Sequence, residues 1–178
     1  MQPRGRWSRK SHSSEAAMDT NPDFRDLLRS LSDAGVRYVI VGAYAVIYHT
    51  EPRYTKDLDI WVEPTEANAG RVWKALARFG APLKGVKVED FTDAETVYQI
   101  GVEPNRIDII TSIDGVAFTQ AWARRVRAVY GEIPTYILAK SDLIRNKRAA
   151  GRLQDLLDLK RLTGRRPQCK GRTRRKRR

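Results

Sequence analysis

Apolar residues recur at helical spacing early in the chain, at Phe24, Leu27, Leu28 and Leu31. Asn21 stands where a helix cap is expected, Pro22 suits the first helical position, and Gly35 follows the last apolar residue. The pattern therefore predicts an amphipathic helix that begins after Asn21 and ends before Gly35.

The same reasoning predicts further helices over Ala43–Tyr48, Thr65–Phe79, Gly115–Val129, Ser141 to about Ala150, and Arg152–Leu162. Thr65 and Ser141 are expected to cap their helices. The apolar residues expected on the last helix are Leu153, Leu156, Leu157 and Leu159. Runs of β-branched and aromatic residues predict strands over Arg37–Val41, Asp57–Val62, Thr96–Val102, Arg106–Thr111 and Pro134–Ala139. This order of elements predicts an α/β or α+β domain, with a mixed β-sheet flanked by helices and with helices at its C-terminal end.

Charge is concentrated at the two ends of the 178-residue chain, whose formal net charge is +13. Residues 1–18 hold four basic residues and one acid, and residues 165–178 hold nine basic residues and no acid. The intervening residues 19–164 are close to neutral. We therefore expect one domain over residues 19–164, between two basic segments that are disordered when free.

Cysteine content and hydropathy limit the possible classes of protein. The single cysteine, Cys169, lies in the basic C-terminal segment, so no disulfide, cysteine-based zinc site or cysteine nucleophile is expected within the domain. A reducing compartment is expected, and we predict a cytoplasmic protein. The apolar runs fall far short of the roughly 20 residues that a membrane-spanning helix needs, so no membrane association is expected.

Asp57 and Asp59 lie on one face of a predicted strand, with their Cα atoms roughly 6.5–7 Å apart. Neighbouring carboxylates among apolar residues are costly unless a cation neutralises them. Mg²⁺ prefers carboxylate oxygens and leaves coordination positions open for substrate phosphates. The spacing suits one metal ion between two acids, or two metal ions that share them.

A third acid, Asp108, interrupts the apolar strand Arg106–Thr111, where neither a turn nor a helix cap explains it. If this strand pairs beside Asp57–Val62, three carboxylates converge as in a two-metal phosphoryl-transfer site. Two other interpretations stay open at this point. The acids could lie on a solvated face and edge of the sheet, or the Asp-x-Asp pair could belong to a metal-dependent glycosyltransferase.

A resemblance extends from about Tyr38 to Leu162. Its N-terminal part consists of Val41-Gly42-Ala43, Ala45, Arg53, Thr55, Asp57-Leu58-Asp59-Ile60 and Arg106-Ile107-Asp108-Ile109. These residues resemble the first motif and the third acid of the DNA polymerase beta-like nucleotidyltransferase superfamily. The C-terminal part consists of Leu143, Lys147, Ala150-Gly151-Arg152, Asp155-Leu156 and Asp158-Leu159, and is similar to the final helical motif of AbiEii toxin-like and related small bacterial nucleotidyltransferases.

The resemblance implies a minimal nucleotidyltransferase fold and transfer of a nucleoside monophosphate from an NTP, with two Mg²⁺ ions or with Mn²⁺. Asp57, Asp59 and Asp108 would be the catalytic and metal-binding residues, with Asp108 also acting as general base. The implied nucleotide-binding residues are Gly42, Ala43, Arg53, Thr55, Lys147 and Arg152. The implied acceptors are RNA, tRNA or protein, and a toxin role would add a cognate antitoxin as partner.

The chain departs from the family pattern at Gly42-Ala43, where Gly-Ser or Gly-Gly is usual, so a serine hydroxyl contact with phosphate is missing. Backbone amides are unaffected by that change. A second hypothesis is therefore an inactive module of the same fold that binds nucleic acid through its basic tail.

Overall fold

The computed structural model describes residues 21–102 and 105–164. The two predicted basic segments, residues 1–18 and 165–178, lie outside the described residues, as do Glu103 and Pro104 of the turn expected before Arg106. No helix in the described part of the chain has both the length and the apolar character needed to cross a membrane.

The described helices are α1 (Pro22–Asp33), α2 (Gly42–His49), α3 (Glu66–Phe79), α4 (Phe118–Arg124), α5 (Lys140–Ala150) and α6 (Leu153–Leu162). The strands are β1 (Tyr38–Ile40), β2 (Asp57–Val62), β3 (Val97–Ile100), β4 (Arg106–Ile110), β5 (Val126–Tyr130) and β6 (Ile133–Ile137). They form one sheet in the order β3-β4-β2-β1-β6-β5. β2 is parallel to β4 and β1 to β6, whereas β1 is antiparallel to β2, so the sheet is mixed, as predicted.

Helix α1 confirms the prediction made from its apolar spacing. The Asn21 side chain accepts hydrogen bonds from the backbone N–H groups of Asp23 (2.9 Å) and Phe24 (3.4 Å), which satisfies two of the free donors at the helix start. Its predicted apolar stripe is fully buried, at Phe24, Leu27, Leu28 and Leu31.

The helix predicted over Gly115–Val129 is wrong at both ends, because helix α4 covers only Phe118–Arg124. Helix α4 ends at Arg124, and the following residues form β5, which pairs antiparallel with β6. Arg125 has an extended backbone, and its guanidinium lies over the rings of Trp122 (3.8 Å) and Tyr136 (4.5 Å). This stacking joins the helix end to the sheet, and the β-branched and aromatic residues that follow are favoured in a strand.

Neither Thr65 nor Ser141 caps its helix with a side-chain hydrogen bond, although both were predicted to do so. Thr65 occupies the cap position of α3, but its side chain makes no capping hydrogen bond. Helix α5 begins one residue earlier than predicted, because Ala139 is its cap and the Ala139 carbonyl accepts the first helical bond from Leu143. Ser141 therefore lies inside the first turn.

Helix α6 turns its acids inward and most of its leucines outward. The side chains of Leu153, Leu156 and Leu157 are exposed, whereas Asp155 and Asp158 are buried. The two acids are buried because cations from neighbouring elements pair with them, which offsets the cost of removing the carboxylates from water.

Candidate active site

The turn between β1 and α2 packs directly against the acidic strand β2. The Val41 N–H donates to the Asp59 carbonyl at 3.0 Å, so the first residues of α2 lie beside Asp59. Gly42 has a left-handed backbone, with φ of 60°. A Cβ atom at Gly42 would lie 1.9 Å from Asp59 Oδ2, so only glycine fits this position.

The parallel pairing of β2 with β4 brings two of the predicted acids face to face. Asp59 lies opposite Asp108, and Asp57 lies opposite Arg106. Side chains two residues apart on a strand share a face, so all four side chains project toward the same side of the sheet. The sequence analysis required the strands of Asp59 and Asp108 to pair, and β2 and β4 do pair.

Arg106 lies between two of the carboxylates and was missed as a site residue. Its guanidinium contacts Asp57 Oδ2 at 3.1 Å and Asp108 Oδ1 at 3.0 Å. Asp108, and then Asp57, raise the pKa of Arg106, which stays charged. Its position two residues before Asp108 on a strand was the signal available in the sequence, because that spacing puts both side chains on one face.

The carboxylates retain capacity for a cation besides Arg106. Asp57 Oδ1 and Asp108 Oδ1 are buried and make no hydrogen bond, since the Arg106 contact to Asp108 is an ion pair without hydrogen-bond alignment. Burial, followed by the charges of Asp108 and Asp57, raises the pKa of Asp59. Within residues 21–102 and 105–164, no three His, Cys, Asp or Glu side chains converge as a ready-made metal site. The free oxygen of Asp57 and the repulsion at Asp59 nevertheless fit a divalent cation.

A buried cluster of opposite charges faces the acids from helices α5 and α6. Lys147 Nζ contacts Asp155 Oδ1 at 2.6 Å and Asp158 Oδ2 at 3.4 Å, and the Arg53 guanidinium contacts Asp158 at 3.3 Å. The Arg152 backbone N–H donates to Asp155 Oδ2 at 3.2 Å, which fixes the start of α6. The helical motif is therefore joined to the loop before β2 through Asp158.

These elements enclose a pocket of about 790 Å³. Its walls include most of the predicted site residues, namely Gly42, Ala43, Arg53, Asp59, Asp108, Lys147 and Arg152. Asp57 and Thr55 do not line the pocket. Asp57 contacts Arg106, and the Thr55 hydroxyl donates to the Asp57 carbonyl at 3.5 Å. Residues 94–97 and 112–115 also line the pocket, and the sequence analysis did not assign them to the site.

Comparisons of sequence with known proteins give no assignment. No protein-family model matches the chain. No curated protein matches it either.

Comparison with solved structures is informative. A Thermotoga maritima protein described as a nucleotidyltransferase, TM1012, matches with a TM-score of 0.53 and 14% identity, covering 85% of this chain and 99% of that chain. This chain therefore has the nucleotidyltransferase fold.

Two proteins of antibiotic resistance or antibiotic adenylylation agree with that assignment of fold. The lincosamide antibiotic adenylyltransferase LnuA, with lincomycin bound, matches with a TM-score of 0.50 and 15% identity over 81% of this chain and 96% of that chain. The antibiotic-resistance factor ANT(2'')-Ia matches with a TM-score of 0.51 and 10% identity over 80% of this chain and 82% of that chain. At these identities the likeness concerns the fold.

The raised pKa of Asp59 predicts a pH dependence of stability. The folded chain holds the Asp59 proton more tightly than the unfolded chain, whose ordinary value is 3.8. The free energy of unfolding should therefore fall as the pH rises from that value through the folded pKa. Urea unfolding with a metal chelator, from about pH 4 to about pH 8, measures this slope. Asp59→Asn should flatten it, and Asp93→Asn, which changes an exposed carboxylate, should not. Parallel curves for wild type and Asp59→Asn would contradict the prediction.

Proposed function

We propose that this chain is a divalent-cation-dependent nucleotidyltransferase that moves a nucleoside monophosphate from an NTP to an acceptor hydroxyl. The observation that carries the proposal is the pairing of Asp59 opposite Asp108 beside the Gly42 turn, in a pocket that Lys147 also lines. Carboxylates, backbone amides and a cation around one pocket are the parts that phosphoryl transfer requires.

Asp57, Asp59 and Asp108 would hold Mg²⁺, with two ions expected and with Mn²⁺ as a compatible substitute. Bound there, the ions neutralise charge on the triphosphate and orient the attacking and leaving oxygens. Asp57 Oδ1, which is buried without a hydrogen-bond partner, is available for this contact, whereas Asp108 Oδ1 would have to be shared with Arg106. Thr55 has a supporting role in the proposal, because its hydroxyl approaches the backbone of Asp57.

The nucleotide would occupy the pocket with its phosphates at the start of α2. No side chain caps this helix, and Gly42 and Ala43 line the pocket, so their N–H groups can donate to phosphate. Lys147, Arg53 and Arg152 line the same pocket and would supply positive charge to the phosphates.

Asp108 would accept the proton of the acceptor hydroxyl as that oxygen attacks the α-phosphorus. The new bond joins the acceptor oxygen to the α-phosphorus, and the bond from that phosphorus to the bridging oxygen of the pyrophosphate breaks. Asp108 is almost fully buried and lines the pocket, so it can receive this proton beside the reacting atoms.

The acceptor that we propose is RNA, including tRNA, or protein, in line with the resemblance, and a toxin role with a cognate antitoxin belongs to the same proposal. The fold neighbour with lincomycin bound acts on a small molecule, so a small antibiotic belongs in any panel of acceptors tested. Expression that leaves growth unaffected while transfer persists would argue against the toxin role.

Transfer of label from α-phosphate-labelled NTPs, with Mg²⁺ and total RNA or protein, tests the proposal. The double variant Asp57→Asn with Asp59→Asn should lose about 100-fold or more of the wild-type rate, because several kcal/mol of charge stabilisation disappear. Asp93→Asn should retain it. The proposal would be wrong if the wild type transferred no label with any NTP and acceptor class, or if the double variant transferred label as fast as the wild type.

One observation favours the second hypothesis, an inactive nucleic-acid-binding module. Arg106 already neutralises Asp57 and Asp108, and Lys147 is already paired with Asp155 and Asp158. Calorimetry separates the two hypotheses, because only the enzyme must bind Mg²⁺-NTP. The module should bind RNA through its basic tail and be indifferent to changes in the acids.

Removal of the Arg106 charge should tighten divalent-cation binding. Arg106 contacts two carboxylates that the proposal assigns to the cation, so its positive charge opposes binding there. Titration of Mn²⁺ followed by electron paramagnetic resonance should show several-fold higher affinity in Arg106→Gln than in wild type. Arg78→Gln, which loses an exposed ion pair with Asp33, is the matched control and should show wild-type affinity. Weaker binding in Arg106→Gln would contradict this prediction.

A further inference from the structure

Helix α6 presents a stripe of leucines to solvent. Leu153, Leu156 and Leu157 are 79%, 48% and 45% exposed. They stand at positions i, i+3 and i+4, so they form one continuous ridge on the helix. Exposed leucines scattered singly are ordinary, but three on one ridge form an apolar patch that calls for a partner.

The stripe cannot turn inward, because the opposite face of α6 is held by buried ion pairs. Asp155 contacts Lys147 at 2.6 Å, and Asp158 contacts Lys147 at 3.4 Å and Arg53 at 3.3 Å. Rotation of the helix about its axis would bury the leucines against Lys147 and Arg53 and would break all of these contacts. The leucines therefore belong to the outer surface of the folded chain.

Charges on helices α5 and α6 are sorted by sign. Between residues 140 and 162, all of which the structure describes, the acids are buried, namely Asp142, Asp155 and Asp158. Every exposed charged residue of the same stretch is basic, namely Lys140, Arg145, Arg148, Arg152, Lys160 and Arg161. Only two of these six make an ion pair, Arg145 with Asp142 at 3.7 Å and Arg161 with Asp158 at 3.9 Å. The sequence that follows, residues 165–178, adds nine basic residues and no acid.

We propose that the leucine stripe of α6 and its basic surroundings form a docking surface for an acidic amphipathic helix of a partner protein. Leucines at i, i+3 and i+4 match the anchor spacing by which one helix packs on another. Acidic residues flanking the partner's apolar face would meet the basic residues around the stripe and would set its orientation. The proposal does not depend on the catalytic function.

The observations favour this occupant over three others. A second copy of the chain would bring two basic surfaces together, and like charges at an interface are costly. RNA would be attracted by the basic residues but would leave the leucines uncovered. A membrane-surface helix carries Lys and Arg on its polar face, whereas the polar face of α6 carries Asp155 and Asp158 and is buried against the domain.

Site-specific photocrosslinking in the cells that naturally produce the protein tests the proposal. The full-length chain carries benzoylphenylalanine in place of Leu156, and sequencing of the crosslinked peptide identifies what lies on the stripe. The matched control carries the same photoreactive residue in place of Val129, which is 58% exposed on β5. We expect a crosslinked protein segment, found with position 156 and not with position 129, that has apolar residues at helical spacing and a net negative charge.

A synthetic peptide of that segment then provides the affinity measurement. The double variant Leu153→Gln with Leu157→Gln should bind it at least about 10-fold more weakly than wild type, and Val129→Gln should bind it equally well. Circular dichroism and nucleotide transfer by the same variants show whether the fold survives. We expect both to match the wild type, because the leucines lie outside the proposed active site. Crosslinks to a second copy, to lipid or to RNA, equal crosslinking at both positions, or peptide affinity unaffected by the leucine substitutions would each overturn the proposal.

Discussion

A single methyl group at position 42 is expected to reduce nucleotidyl transfer by about 100-fold or more, because precise placement of reacting groups supplies several kcal/mol of the rate enhancement. In Gly42→Ala the new Cβ would lie 1.9 Å from Asp59 Oδ2, well inside van der Waals contact. The Asp59 Cγ and Cβ atoms would lie 2.7 and 3.1 Å from the new Cβ, and the backbone that carries them is held by strand pairing on both sides and by the Val41 N–H. The substitution therefore displaces either the Asp59 carboxylate or the start of α2, which the proposed reaction needs together. Transfer rates at saturating and limiting NTP measure the loss.

Gly80→Ala is the matched control for this substitution. Gly80 also has a left-handed backbone, with φ of 88°, but a Cβ there would meet nothing within 4 Å. Gly80→Ala should lose roughly 1–2 kcal/mol of stability, the usual cost of forcing alanine into this conformation, and Gly42→Ala should lose more because of its additional clash with Asp59. Only Gly42→Ala should lose transfer. Equal transfer by the two variants would show that the Gly42 turn has no part in the reaction.

The acids and the glycine turn could be predicted from the sequence because their signals are local. Asp57 and Asp59 follow the alternation of β2, and Asp108 stands out as a carboxylate within an apolar strand. The Gly42 turn follows a strand and precedes a helix over a few residues, so its position needed no knowledge of distant contacts. The pairing of β2 with β4 remained conditional, since strand order depends on contacts between residues far apart in the chain.

The features that the sequence analysis missed are those that depend on tertiary contacts. The β5 strand follows Arg125, whose stacking on Tyr136 of β6 no local pattern records. The helical pattern of α6 contains leucines on one face and acids on the other, and a pattern rule assigns the leucines to the core. The buried cations Lys147 and Arg53 reverse this, because they come from other elements and stabilise the acids inside.

Lys147 is expected to contribute more to stability than other charged residues on α5 that remain exposed. Lys147 is 9% exposed, and its Nζ lies 2.6 Å from Asp155 Oδ1 and 3.4 Å from Asp158 Oδ2. Lys147→Met keeps the length of the side chain but leaves the Asp155 carboxylate buried without its cation, whereas Asp158 still has Arg53. Removing one partner of a buried pair costs roughly 3–5 kcal/mol of the free energy of unfolding, whereas an exposed charge usually costs less than about 1 kcal/mol. Urea unfolding of Lys147→Met and of the exposed control Lys140→Met measures the difference.

A second variant separates the unpaired carboxylate from other effects of the Lys147 substitution. In Lys147→Met with Asp155→Asn, the buried negative charge is gone together with its cation, so the double variant should recover a large part of the stability that Lys147→Met loses. Recovery of stability should not restore nucleotidyl transfer, because the proposed contact of Lys147 with the triphosphate is still absent. If the double variant were no more stable than Lys147→Met, the loss would come from packing instead. If it recovered transfer as well, Lys147 would serve to neutralise Asp155 rather than to bind the nucleotide.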